Sequence, residues 1–304
     1  MIDLLQLGTG SMQPLPDRWL SSFVIRNGNE LALFDCGEGT QIIARHFSWG
    51  FKRISAICIS HHHADHIAGL PGMLMCIANA GRTETVTVYG PRDTVRIVEA
   101  LLTICPGFPF DLKIVELEDG AKVPLIGDLR ATVLEVAQRS MPVLAWRFDL
   151  SRHRRFDRAA AERDRVPQAL WSTLQDGNDV MSGDQFYLSE WYLGPPRPGL
   201  AFGIVTDTRP SARLAEFMHD VDLLISEATY LDDADREKAL LVDHFLLSEA
   251  CDLANAANAD RLLLTHFSAS YPNPEEYESA AQARFPNAEI GCSGWETTLS
   301  FREE

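Results

Sequence analysis

Four of the nine histidines fall within six residues, His61-His62-His63-Ala64-Asp65-His66. Imidazole and carboxylate are donors that a borderline divalent cation accepts, and neutral histidine is the commonest of them. So many rings in so short a run repel when protonated and lose hydration when buried, unless a cation organises them. On an extended loop His61 and His63 point one way and His62 the other, while Asp65 and His66 reach a second centre. One segment cannot close two coordination spheres, so distant donors are required. Two apolar runs end in them: Ile204-Val205-Thr206-Asp207 and Leu262-Leu263-Leu264-Thr265-His266. Each alone reads as a turn aspartate or a satisfied histidine; with the cluster they read as ligands. Cations so held suit metal-assisted hydrolysis, in which a bound cation lowers the pKa of water.

The elements that would position these residues alternate along the chain. Strands are expected at Ile2–Leu7, Phe23–Arg26, Leu31–Asp35, Ile54–Ile59, Thr85–Tyr89, Lys113–Glu116, Leu129–Val136 and Val143–Leu150, then at Gly199–Val205, Asp222–Ser226, Arg261–Thr265 and Thr297–Phe301. Several are apolar on both faces, as central strands covered by helices are. Helices are expected at Thr40–Phe47, Leu70–Ala80, Thr94–Ile104, Ser211–Met218, Leu247–Ala257 and Glu275–Phe285. The rhythm is α/β, with no internal repeat. With 304 residues the chain needs no disulfide to fold, and its six cysteines form no Cys-x-x-Cys pair. No apolar run is long enough for a membrane span, and the N-terminus does not read as a signal peptide, so a cytoplasmic protein is expected.

The net charge of -16 argues against a general polyanion binder. Bases nevertheless gather locally: Arg147, Arg152, Arg154, Arg155, Arg158, Arg163 and Arg165 open a stretch, 151–198, that breaks the rhythm. It reads as an arm or insertion on a single domain, either holding phosphates or forming a salt-bridged helix face. His46, His153 and His219 read as surface groups, Cys36 as a packed turn residue, and Trp146, Trp171 and Trp191 as packing or dimer-contact residues.

The pattern His-x-His-x-Asp-His resembles the signature of metallo-β-lactamase-fold hydrolases. Leu7-Gly8-Thr9-Gly10-Ser11, Phe34-Asp35-Cys36-Gly37-Glu38, Gly69-Leu70-Pro71-Gly72, Thr206-Asp207-Thr208-Arg209-Pro210, Glu227-Ala228-Thr229 and Leu264-Thr265-His266-Phe267-Ser268 narrow the resemblance to the ribonuclease Z family, endonucleases that remove 3′ trailers from precursor tRNA. The resemblance implies a four-layer αβ/βα sandwich, a homodimer and two divalent metal ions, zinc above all. His61 and His63 would bind the first; Asp65, His66 and His266 the second; Asp207 would bridge. It implies Asp65 as general base, His244 as proton donor and Glu227 as the residue that orients His244.

Three segments depart from the family. Its further histidine ligand is missing from Gln138-Arg139-Ser140-Met141-Pro142, where Gln138 stands in the ligand place; an amide is a poorer zinc donor than imidazole, so a weaker first site is expected. The tRNA-placing loop reads Pro14-Leu15-Pro16-Asp17-Arg18-Trp19 and keeps only Arg18 of its basic residues. The arm lacks the family's Gly-Pro element; Arg154 and Arg155 are its substrate-binding candidates beside Arg18. The expected activity is metal-dependent cleavage of precursor tRNA. The alternative is a paralogue for a cyclic nucleotide, aryl phosphodiester or sulfate ester. A third reading is a binding protein that has lost catalysis.

Overall fold

In the computed structural model the doubly apolar runs become the interior strands of two seven-stranded sheets. The structure describes residues 1–138 and 141–302, the side chains of 137 and 138 excepted. The first part of the chain supplies β1 (Ile2–Gly8), β2 (Ser22–Asn27), β3 (Glu30–Phe34), β4 (Ile54–Cys58), β5 (Val86–Gly90) and β6 (Leu112–Glu116). Next come β7 (Lys122–Ile126), β8 (Leu129–Gln138), β9 (Met141–Arg152), and a short hairpin of β10 (Val180–Ser182) and β11 (Gln185–Tyr187). The last part supplies β12 (Arg197–Val205), β13 (Leu223–Glu227), β14 (Leu262–Thr265), β15 (Ala288–Ile290) and β16 (Glu296–Leu299).

One sheet runs β16-β1-β2-β3-β4-β5-β6 and the other β15-β14-β13-β12-β9-β8-β7. Strands β3 to β6 are mutually parallel, as are β12 to β15. Every residue of β13 and β14 is buried, as parallel strands covered on both faces require. Phe34 meets Trp146 and Phe148 edge to face at 6.2 and 6.4 Å, and Phe148 stacks on Phe202 at 4.5 Å, so aromatic rings lock the sheets face to face. Helices Thr40–Phe47, Leu70–Asn79 and Thr94–Leu102 contribute apolar residues to the core of the first sheet. Helices Ala212–Phe217, Leu247–Ala256 and Glu278–Arg284 do the same for the second. The architecture is the expected four-layer αβ/βα sandwich.

Elements that sequence periodicity does not reveal lie mostly at edges. Strand β7 carries Pro124 and closes one sheet, where a missing N–H is tolerated. The unexpected helix Arg236–Val242 ends at Asp243 in the left-handed region (φ 59°), which turns the chain into His244.

The chain divides into two compact units. The larger comprises Met1–Asp149 and Ala201–Ser300; the smaller is Leu150–Leu200 with the chain end from Phe301. The smaller unit has its own core of Ala160, Ala161, Val166, Leu174, Tyr187 and Tyr192. Asp157 caps its helix Arg158–Arg163 by accepting the Ala160 N–H at 2.9 Å. Arg152, Arg154, Arg155, Arg158 and Arg197 line a concavity of about 520 Å³ in this unit.

Candidate metal centre

Parallel strands deliver their C-terminal ends to one place, the usual position of ligand sites in α/β sheets. Asp35 follows β3, and Ser60 to His63 follow β4. Asp65 and His66 sit on the one-turn helix Ala64–Ile67. Asp207 follows β12, Glu227 ends β13, and His266 follows β14 with φ 61°. Close packing holds the short helix: a Cβ on Gly37 would lie 2.0 Å from the Asp65 carbonyl oxygen, and Cys36 N–H donates to the His66 carbonyl at 2.7 Å. Glycine in the Phe34-Asp35-Cys36-Gly37 string is thus a requirement of close approach.

Asp207 is the hub. Its Oδ2 lies 3.4 Å from His61 Nε2, 3.9 Å from His63 Nδ1 and 3.8 Å from His244 Nε2. Its Oδ1 lies 3.5 Å from His66 Nε2 and 3.2 Å from His266 Nε2. Asp65 Oδ2 is 3.5 Å from each of those last two nitrogens. His61 Nε2 and His63 Nδ1 approach to 2.9 Å. All these groups are buried except His63, which is partly open to solvent.

A layer of hydrogen bonds fixes which nitrogen of each ring faces inward. His66 Nδ1 donates to Asp35 Oδ2 at 2.7 Å. Ser60 Oγ donates to the same oxygen at 2.8 Å and so accepts from His61 Nδ1 at 3.0 Å. Thr229 Oγ1 donates to Glu227 Oε2 at 2.6 Å and so accepts from His266 Nδ1 at 2.9 Å. Each Nε2 of these three rings therefore turns a lone pair toward Asp207, the carboxylate–histidine–metal pattern. Glu227 also holds His244 Nδ1 at 3.0 Å and accepts the Thr208 N–H at 2.9 Å, leaving His244 Nε2 toward the centre. Met12 N–H donates to Asp65 Oδ2 at 2.7 Å.

Burial and charge act against each other here. Burial first, and then the neighbouring His66 ring, push His61 down to about 4. Burial opposes charge on His244, but Glu227 and then Asp207 outweigh it and raise this ring to about 9. Burial also opposes ionisation of Asp207, yet the imidazoles of His266, His61, His66 and His244 hold its carboxyl well below the usual range.

The donor set fits divalent cations. Asp207 Oδ1 is buried and accepts no hydrogen bond, a costly orphan if nothing binds it. His66 Nε2 and His266 Nε2 face each other at 3.2 Å with both Nδ1 atoms committed elsewhere. Lone pairs so opposed are stabilised by a cation between them and the carboxylates. Three overlapping donor groups occur among the described residues: His61–His66–Asp207, Asp65–His66–His266 and Asp207–His244–His266.

The remaining expected residues fall elsewhere. His62 turns away and reaches Thr94 Oγ1 at 2.8 Å. Arg18 donates to the carbonyl oxygens of Tyr271 at 2.8 Å and Pro272 at 2.7 Å, bracing the loop beyond β14. Arg154, in the smaller unit, pairs with Glu190 at 2.5 and 2.9 Å, and Arg155 lines the concavity there. Arg147 belongs to the larger unit, bonded to the His219 carbonyl at 2.7 Å, and the other six arginines of the run belong to the smaller. Cys36 is buried with its thiol pushed up by burial and Asp35, unsuited to act as a nucleophile. The Gln138 side chain, expected in a ligand place, lies outside the described residues. No site role follows from the sequence for Asp35, Ser60 or Thr229, although Asp35 and Thr229 lie within the family strings and Asp35 also ends an apolar run.

A family model described as anti-Pycsar protein Apyc1 matches residues 2–102, about a third of the chain. Among solved structures, human tRNase Z, short form, superposes with a TM-score of 0.70 at 21% identity, covering 98% of this chain and 100% of that one. The metallo-β-lactamase fold protein YhfI from Bacillus subtilis gives 0.69 at 18%, covering 97% and 98%. At such identities these two establish the fold alone. Curated relatives go further: ribonuclease Z of Clostridium kluyveri is 38% identical over 304 residues, and that of Clostridium beijerinckii 41% over 313, each match covering both chains in full. With the strand-end histidines and aspartates gathered around Asp207 and full-length similarity of this degree, the chain belongs to the ribonuclease Z family of metal-dependent hydrolases with the metallo-β-lactamase fold.

Proposed function

We infer that this protein is a zinc-dependent endoribonuclease that removes 3′ trailers from precursor tRNA. The observation that carries this reading is the convergence of imidazoles from both sheets on the buried Asp207 carboxylate. In the proposed assignment His61 and His63 would hold one cation, Asp65, His66 and His266 would hold the other, and Asp207 would serve both. When bound, the two cations neutralise phosphoryl charge and lower the pKa of water to about 7.

The chain's own groups supply the proton transfers. Asp65 Oδ2, positioned by the Met12 N–H, accepts a proton from the attacking water. The water oxygen adds to phosphorus, the bond to the leaving sugar oxygen breaks, and that oxygen keeps the electron pair. It then takes a proton from His244 Nε2, while Glu227 at Nδ1 favours the protonated ring before transfer and fixes its orientation.

A second reading, a small phosphodiester or sulfate ester as substrate, is favoured by Arg18. Its guanidinium braces the protein's own backbone, so the loop Pro14–Trp19 lacks the free cation expected of a tRNA-placing loop. Incubation with precursor tRNA and with bis-p-nitrophenyl phosphate tests both. Site-specific RNA cleavage, lowered about 10²–10⁴-fold by Asp65→Ala, is the expected result; turnover of the aryl ester alone selects the second reading, and binding without turnover the third.

The proposal extends to a homodimer in the cytoplasm. Exposed Leu240 and Leu241 offer apolar surface for a second copy, and the six unpaired thiols suit a reducing compartment. No helix among the described residues is long and apolar enough to cross a membrane.

A further inference from the structure

We propose that Arg209, paired with Glu249, is a positioning residue that sets His244 for proton transfer. This rests on the reading of His244 as proton donor. Three consecutive residues after β12 reach three parts of the same apparatus. Asp207 is the hub, Thr208 N–H donates to Glu227 Oε1 at 2.9 Å, and Arg209 Nη1 donates to the backbone carbonyl of His244. Arg209 Nη2 pairs with Glu249 Oε1 at 2.5 Å. Glu249 Oε2 in turn accepts the Leu246 N–H at 3.0 Å. The guanidinium fork and its carboxylate thus bracket residues 244–246 from both ends.

The bracket matters because of where His244 stands. The preceding helix stops at Asp243 with φ 59°, and the His244 N–H closes on the Ala239 carbonyl at 3.0 Å. Beyond that, the backbone is fixed by the Tyr230 N–H on the Phe245 carbonyl at 3.2 Å and by Arg209. A planar fork with two parallel donors holds both partners at fixed geometry, which a lysine cannot reproduce. Proton transfer needs a donor–acceptor separation of about 2.6–3.2 Å, and a displacement of about 1 Å can cost about 10²-fold. The Arg209 guanidinium bonds to the His244 carbonyl and to Glu249, so its effect passes through His244.

The leaving group provides the test. A sugar oxygen needs a proton as it departs, whereas p-nitrophenolate departs without one. Arg209→Gln in the zinc-loaded enzyme is expected to lower kcat on precursor tRNA about 10²-fold with KM little changed. The loss on bis-p-nitrophenyl phosphate should be at least about tenfold smaller. Both rates come from one preparation, so any unfolded fraction cancels from their ratio. Metal content by elemental analysis should equal that of wild type. Equal losses on the two substrates, or loss of metal, overturn the proposal. His244→Ala, measured alongside, separates the levels. If it too shows no selectivity for leaving group, or if wild type cleaves no RNA, the reading beneath has failed. If it is selective and Arg209→Gln is not, only the role of Arg209 falls.

Discussion

Thr229 Oγ1 lies 2.6 Å from Glu227 Oε2, close enough to commit its only proton there. The hydroxyl is then left as an acceptor for His266 Nδ1. One threonine therefore sets the tautomer of a proposed ligand while tying it to the carboxylate that holds His244. Thr229→Val keeps the shape and removes both bonds. Cation affinity of the second centre should fall about 10–100-fold, read by chelator competition, and Thr229→Ser should restore most of it. Unchanged affinity in the valine variant would refute this role.

Glu227 gives a pH-dependent prediction for the metal-free protein. His244 titrates near 9 in the fold against 6.5 ordinarily. A raised value means that protonated His244 contributes stability fully below about 6.5, and that this contribution is lost as pH rises through about 9. Glu227→Gln removes the largest raising influence. The stability gap between wild type and variant, from urea unfolding at a series of pH values, should be widest on the acid side and narrow across this window. A gap independent of pH would count against the Glu227–His244 pairing.

Metal retention should be uneven. The first centre draws on His61, partly exposed His63 and the shared Asp207, with no further histidine in the segment 138–146. Elemental analysis after dialysis should show clearly fewer than two metals per chain. Two firmly retained equivalents would show that the first centre is complete as built.

The arginines of the smaller unit predict a salt effect. Arg152, Arg155 and Arg158 line one concavity. If they hold RNA phosphates, neutralising all three should flatten the slope of log affinity against log salt by roughly 2–3. An unchanged slope assigns them to the unit's own architecture, as the Arg154–Glu190 pair already is.

What the sequence made legible follows from local patterning. Asp207 and His266 stood out because each caps an apolar run, and parallel strands bring such ends together. Asp35 carries the same mark, yet its partner His66 is 31 residues away, and only the β3–β4 pairing sets them 2.7 Å apart. Ser60 has no distinguishing pattern, since a hydroxyl next to a strand end is commonplace, and Thr229 stands in a family string that does not disclose its hydrogen-bonding role. Arg18 misleads in the other direction: a basic residue in the expected loop proves to be occupied by backbone carbonyls. The seven arginines lie close together in sequence, but Arg147 lies in β9 within the larger unit, while the others belong to the smaller.

The inward-facing groups come from both halves of the chain: His61, His63, Asp65 and His66 from the first sheet's side, Asp207, His244 and His266 from the second's. Neither half alone can grip a cation with a full complement of atoms. Ion capture therefore becomes a late event in maturation, available only after both halves have docked, and bound metal acts as a clasp that makes their separation more difficult.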